Sequence, residues 1–354
     1  MNLHIHLPTN LTHFDLLLEG YLLSTKEDRD IAGFIMNNYK GEIASDLSPQ
    51  YDINFSSIRE LKKKFGKDVF GKISGIYYGS DNCEFLAPTQ DEVKKAYEKF
   101  LEFNKTYPPH KARIFTLVTP YVGDKMLERL EETLTYLNNI KSKTPLEIVV
   151  NDFGVLNLLN KKYTNLKPVI GRLIHKTLKN PLIDTYGYEA HPAGESIKNK
   201  TSGEIEILRE SIVENQKEFY SSSELSNKYF QTFLDKFNIK NVGIDYLEKR
   251  EELYNKANYS NKNLDIYYPW AVVFTGRLCD TCGIKNPLKG ITATDSICPR
   301  WCKDYDIFFN IKTTGYYLTQ RGNAGYRSQI NLDYLNLSNT GEDYRLVFAP
   351  FISV

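Results

Sequence analysis

Short apolar runs recur along this chain with amphipathic segments between them, and this alternation restricts the fold more than any other feature. Strand-like runs fall at Leu3–Leu7, Leu16–Leu23, Ile73–Tyr78, Arg113–Val118, Glu147–Val150, Val169–Leu173, Val242–Ile244 and Ala271–Phe274. Helical patterns sit between several of them. Thr89 followed by Glu92 reads as a capping box. Behind it, Val93, Ala96, Tyr97, Phe100 and Leu101 recur at the spacing of one buried helix face. Leu127, Leu130, Leu134 and Leu137 repeat the pattern, as do Leu225, Tyr229, Phe230, Phe233, Leu234 and Phe237. These stripes are expected in the core.

Eight strands with helices between them predict an α/β fold, a (β/α)8 TIM-type barrel, regular or distorted. An open doubly wound sheet is the alternative, but no glycine-rich phosphate loop follows any of the runs. The barrel domain is expected over residues 1–305, including the cysteine segment described below. The Glu-, Lys-, Asn- and Ser-rich stretch 185–222 reads as a surface excursion ending in a helix. Residues 306–354 are Tyr-, Thr- and Asn-rich with short strands ending in Tyr344–Phe348, and read as a small C-terminal β-rich tail packed on the barrel.

Composition narrows the class. In 354 residues, 41% hydrophobic and 13% aromatic content suffices for a sizeable core. Basic and acidic residues nearly balance, 45 against 44, which weighs against bulk nucleic acid or an anionic membrane as partner. No apolar run approaches membrane-spanning length, so no membrane insertion is expected. The amino terminus lacks the basic and apolar regions of a signal peptide, and a cytoplasmic location with reduced thiols follows as the expectation.

Four of the five cysteines fall in one window. Cys279 and Cys282 form a C-x2-C pair; after fifteen intervening residues, Cys298 and Cys302 form a C-x3-C pair. Two such pairs joined by a loop can fold back to present four thiolates to one centre, as zinc ribbons and iron–sulfur clusters do. Thiolate ligands suit both, so zinc and iron–sulfur stay open on ligand type alone. The fifth, Cys83, lies far away in sequence, just beyond the run Ile73–Tyr78. A structural zinc site is normally complete locally, whereas a cluster in the mouth of a domain often takes a ligand from a distant loop.

In a barrel, the residues that follow each strand line the active mouth. The candidates are Cys83, Asn151, Asp152, Arg172, His175, Asp245, Tyr246, Arg277 and Cys279. Arg172 and Arg277 suit a bidentate grip on an anionic substrate or oxygen donor, and equally suit structural ion pairs. Asp152 suits proton transfer or the orientation of those arginines, and Asn151-Asp152 equally suits a helix cap. His4 and His6 share one face of a strand, a spacing compatible with metal and equally with a half-buried strand. His191 stands in a loop without a partner motif.

These segments resemble a known family. Tyr77-Tyr78-Gly79-Ser80-Asp81-Asn82-Cys83 is similar to the strand-end Y-x-G-x-x-x-C of the collagenase-like peptidase family, and the turn in Val149-Val150-Asn151-Asp152-Phe153-Gly154-Val155 resembles another of its segments. Val272–Cys279 and Cys298–Cys302 resemble its cysteine-bearing segment, and Leu332–Ser338 its closing strand. Within the family the likeness runs to the paired proteins of oxygen-independent ubiquinone hydroxylation, whose relatives hydroxylate RNA. The resemblance implies a barrel with a 4Fe–4S cluster. It implicates Cys83, Cys298 and Cys302 as ligands, with either Cys279 or Cys282; having both departs from the pattern. It further implies a heterodimer with a second family member.

Three functions are compatible with these residues. One is an iron–sulfur enzyme or subunit for oxygen-independent hydroxylation or a related redox modification, acting on a small molecule, a peptide or, less in keeping with the charge, an RNA base. Another is a peptidase-type hydrolase with zinc, although no Ser/His/Asp constellation and no H-E-x-x-H helix is present. The third is a non-catalytic partner subunit that carries a cluster.

Overall fold

A computed structural model describes residues 2–9, 11–20, 22, 27–28, 30–32, 49–108, 113–175, 177, 179, 191–198, 200–210, 214–259, 262–276, 279–283, 298, 300–303, 307–311, 316–336 and 344–352. Eight strands close into a parallel barrel. They are β1 (Asn2–Leu7), β2 (Ile73–Gly79), β3 (Ile114–Thr119), β4 (Glu147–Val150), β5 (Lys167–Ile170), β8 (Asn241–Asp245), β9 (Asn263–Tyr268) and β14 (Arg345–Phe348). Consecutive barrel strands neighbour one another, and β14 completes the ring by pairing with both β9 and β1. The predicted (β/α)8 barrel is the observed fold.

Two segments play other parts than expected. The run Leu16–Leu23 supplies no barrel strand; the described part is a helical turn, α1 (Asp15–Leu18), ended by Gly20 at φ +70°. A short unbroken apolar run has no periodicity to separate helix from strand. Ala271–Phe274 does lie in a strand, β10 (Trp270–Thr275), but in a separate antiparallel sheet with β11 (Ile307–Ile311), β12 (Tyr316–Arg321) and β13 (Ala324–Ser328), in the order β10-β13-β12-β11. The barrel strand that the apolar runs do not mark is β9. The strand ending the expected tail, β14, is the barrel's eighth.

Alternation along β9 explains the first, and the pairing of β14 with β1 and β9 sets the second. Leu264, Ile266 and Tyr268 of β9 face the outer core, while Asp265 and Tyr267 point inward. In β14, Leu346 and Phe348 face outward while Arg345 and Val347 face inward. In β9 the charged inward Asp265 interrupts the apolar run that would otherwise mark a strand; β14, read as a strand, carries its charge at its start. Inside the barrel that charge is paired. Arg345 grips Glu147 through two hydrogen bonds of 2.6 and 2.9 Å, and Asp265 accepts from Tyr77 at 2.5 Å and Asn241 at 3.1 Å. Above this polar layer lies an apolar one of Tyr77, Val118, Val149, Val169, Tyr267 and Val347.

The helices bury their predicted faces against the barrel. α2 (Pro49–Phe65) precedes β2; α3 (Gln90–Thr106) opens on the expected capping box, with Thr89 N to Glu92 Oε2 at 2.8 Å and Glu92 N to Thr89 Oγ1 at 3.3 Å. Its face of Val93, Ala96, Tyr97, Phe100 and Phe103 is buried, but Leu101 is exposed. α4 (Asp124–Asn139) buries Leu130, Leu134 and Leu137. α5 (Phe153–Lys162) follows β4. The excursion after β5 carries the hairpin of β6 (His191–Lys198) and β7 (Ile205–Glu210), then the helix α6 (Glu214–Ser221). His191 belongs to this hairpin. α7 (Lys228–Lys236) buries Leu234, whereas Tyr229, expected in the core, is 86% exposed.

The sheet of β10–β13 interrupts the connection from β9 to β14. Its residues Trp270, Val272, Ala324 and Tyr326 pack on Ala349 and Ile352, just past the end of β14. This fold-back stands over the C-terminal ends of the barrel strands and carries the cysteine window between β10 and β11.

Candidate functional site

The loop after β2 turns on Gly79. Its φ is +134°, and a Cβ there would stand 2.2 Å from the Val118 carbonyl oxygen, so only glycine fits between β2 and β3. Beyond it, the Ser80 hydroxyl bonds both backbone groups of Cys83, at 3.3 and 3.4 Å. Cys83 is buried beside Leu86 and Cys302, with Phe85 against them. Cys279 precedes the short helix α8 (Asp280–Gly283), which holds Cys282; Cys302 lies in a 3-10 turn, Trp301–Lys303.

All five cysteines are free thiols and gather in one region. Cys83 lies within electrostatic reach of Cys279, Cys298 and Cys302; Cys279 reaches Cys282 and Cys298, and Cys298 shares a hydrogen bond with Cys282. Burial pushes the Cys83 thiol up to about 12, and the neighbouring thiols Cys298 and Cys279 add to it. Cys279 rises to about 11 through burial and then through Cys282 and Cys298. Cys298 and Cys302 are raised as well, mainly by burial, while the Arg321 guanidinium works to lower Cys302. At neutral pH these thiols hold their protons, and a bound metal would expel them. Among the described residues, no three His, Cys, Asp or Glu side chains are arranged to hold a metal ion. The donor set itself, clustered soft sulfurs, fits zinc or an iron–sulfur centre and not a hard cation.

Next to the thiol loop lies a buried charge network. Arg172 donates to Asp81 at 2.9 Å, to Asp245 at 2.8 Å and to the Trp270 carbonyl at 2.8 Å, and its guanidinium stacks 4.3 Å over the Tyr267 ring. Lys179 bonds the other oxygen of Asp245 and the Val272 carbonyl. His6 Nδ1 approaches Asp81 at 3.8 Å. Asn151 ties the strand ends together: it donates to the Thr119 carbonyl at 2.9 Å and accepts from Leu173 N at 3.1 Å. Its amide lies so near Gly171 that a Cβ there would meet Oδ1 at 2.0 Å.

The other candidates divide clearly. Asp152 caps α5, its Oδ1 accepting from Gly154 N at 2.6 Å and Val155 N at 3.1 Å. His175 is buried, bonded to the Gly243 carbonyl at 2.5 Å, and its imidazole is lowered to about 4, chiefly by burial. Tyr246 is buried in the outer core. His4 and His6 face the barrel interior edge-on to Tyr77, and burial lowers both imidazoles. Arg277 lies outside the described residues. Arg172 is placed by two carboxylates and a carbonyl, so its terminal nitrogens are committed within the protein.

Sequence reasoning passes over Asp81, Lys179, Arg321 and Asn323. Asp81 and Lys179 carry no motif. The Gly322-Asn323 pair between alternating segments is a hairpin signal, and it is legible. Fold and site together define a (β/α)8 barrel with five thiols gathered beyond the C-terminal ends of its strands. No family model, curated protein or solved structure matches the chain.

Proposed function

We propose that this chain is an iron–sulfur protein of the collagenase-like peptidase type, an enzyme or enzyme subunit for oxygen-independent hydroxylation or a related redox modification. The observation that carries the reading is the delivery of Cys83, from the loop after β2, to the thiols of residues 279–302 at the mouth of a barrel. A purely local zinc site has no need of it. Four thiolates would hold the cluster, with Cys83, Cys298 and Cys302 joined by Cys279 or Cys282. When bound, the cluster supplies electron transfer or Lewis-acid chemistry. The protein's own share is a burial that keeps water from Cys83 and Cys302, and a rigid floor of paired charge under the loop. The near-zero net charge favours a small molecule or peptide over an RNA base, and the resemblance implies a second barrel of the same kind as the partner.

Anaerobic purification with iron, zinc and acid-labile sulfide analysis tests this. Iron and sulfide in equal amounts are expected, with loss of both in Cys298→Ala and Cys302→Ala and, if the distant ligand is real, in Cys83→Ala. Stoichiometric zinc without sulfide would overturn the proposal in favour of the zinc hydrolase.

A further inference from the structure

Three consecutive residues in the sheet that folds over the barrel each hold a different cysteine-bearing segment. Arg321 Nε donates to the carbonyl of Cys302 itself at 2.7 Å. Gly322 N donates at 3.0 Å to the hydroxyl of Thr281, which stands between Cys279 and Cys282. Asn323 Nδ2 donates at 2.7 Å to the carbonyl of Asn82, the residue before Cys83, and at 2.6 Å to that of Gly276, three residues before Cys279. Asn82 meets the same hairpin a second time, donating to the Tyr326 hydroxyl at 2.5 Å.

We infer that the turn Arg321-Gly322-Asn323 is a positioning device of the thiol centre, bringing its three separate segments to a common place. The inference rests on the cysteines forming one centre, as proposed above. The turn is built for stiffness. It joins β12 and β13, both flanked in the sheet by β11 and β10, in a two-residue connection. Gly322 takes φ +60° at the first central position, as the tight primed turns of hairpins require. Arg321, Asn323 and Thr281 are all buried, so water does not compete for these bonds. Each grip falls on backbone or on a residue beside a cysteine, never on a sulfur. The turn holds the main chains of these segments without occupying their sulfurs.

The test uses the reduced, metal-free full-length chain titrated anaerobically with Co(II). The sulfur-to-cobalt charge-transfer absorption counts the thiolates bound, whatever the native metal. Thr281→Val, Asn323→Ser and Arg321→Gln each remove a grip; the first keeps side-chain shape and leaves the hairpin intact, and the second keeps a residue suited to the turn. Co(II) affinity is expected to fall about 10–100-fold in each, the range for groups that orient metal ligands. Arg321→Lys, which keeps charge and a donor, is expected to recover most of it. Far-UV circular dichroism identifies any variant that fails to fold, and Thr281→Val then carries the test. Folded variants that bind Co(II) as tightly as the wild type, through as many thiolates, would overturn the inference and leave the proposed function standing. A wild type that binds Co(II) through its thiolates yet never takes up iron and sulfide would instead sink the proposed function and leave the turn's role intact.

Discussion

Arg172→Met should be among the most destabilising single changes outside the apolar core. The guanidinium is buried and bonded to Asp81, Asp245 and the Trp270 carbonyl. Methionine fills much of its volume but pairs with nothing. Asp245 keeps Lys179, so Asp81 is the carboxylate that loses its guanidinium, left with the His6 imidazole at 3.8 Å and the Asn151 amide at 3.4 Å. Removing one partner of a buried ion pair costs about 3–5 kcal/mol, because the remaining charge is stranded away from water. That is a large share of the roughly 5–15 kcal/mol that holds a typical domain together. The loss should also depend on pH. A stranded carboxylate gains more from a proton in the folded protein than in the unfolded chain, so the gap between variant and wild type is widest near pH 7.5 and narrows toward pH 5.5. In the wild type, burial works to raise Asp245, but Lys179 and Arg172 overcome it and hold the carboxyl below its ordinary value of 3.8. Its stabilisation is thus lost only as pH falls below that value and does not enter this window. Urea unfolding followed by tryptophan fluorescence is the assay, since Trp270 is itself buried and bonded to Arg172. A loss below about 1 kcal/mol at both pH values, or a gap that widens on acidification, would refute the reasoning.

Two further outcomes follow from the same geometry. His175 is held near 4 against 6.5 in the unfolded chain, chiefly by burial, so the folded state resists its protonation. The stability tied to neutral His175 is complete above pH 6.5 and is lost as pH falls from 6.5 to 4, about 3 kcal/mol in all. His175→Gln should flatten the stability–pH curve in that window, and an unchanged slope would count against it. Asp152→Ala removes the cap of α5 and should cost about 1 kcal/mol in thermal or urea unfolding. A variant as stable as the wild type would count against that capping role.

Much of the scaffold is legible in the chain itself. The capping box at Thr89 and Glu92, the buried stripe that follows it, and six of the eight barrel strands are local patterns, since periodicity and caps depend on neighbours a few residues away. The spacing of Cys279, Cys282, Cys298 and Cys302 is likewise a local pattern, and by itself it points to a thiol centre. What escapes such patterns are β9, where Asp265 interrupts the apolar run, and the place of β14, which its pairing with β1 and β9 sets. Asp265 and Arg345 are charges that make sense only when Tyr77 and Glu147, brought from the far side of a closed barrel, stand opposite them. Arg172 is the same case in the site. Taken as a free arginine it suits an anion; folded, it meets Asp81 and Asp245. The meeting of Cys83 with Cys302, and the turn at Gly322 that holds their loops, are likewise decided by tertiary structure. A charge or a thiol carries its chemistry in the sequence, but its partner is set by closure of the chain over long separations, and no local pattern records that distance.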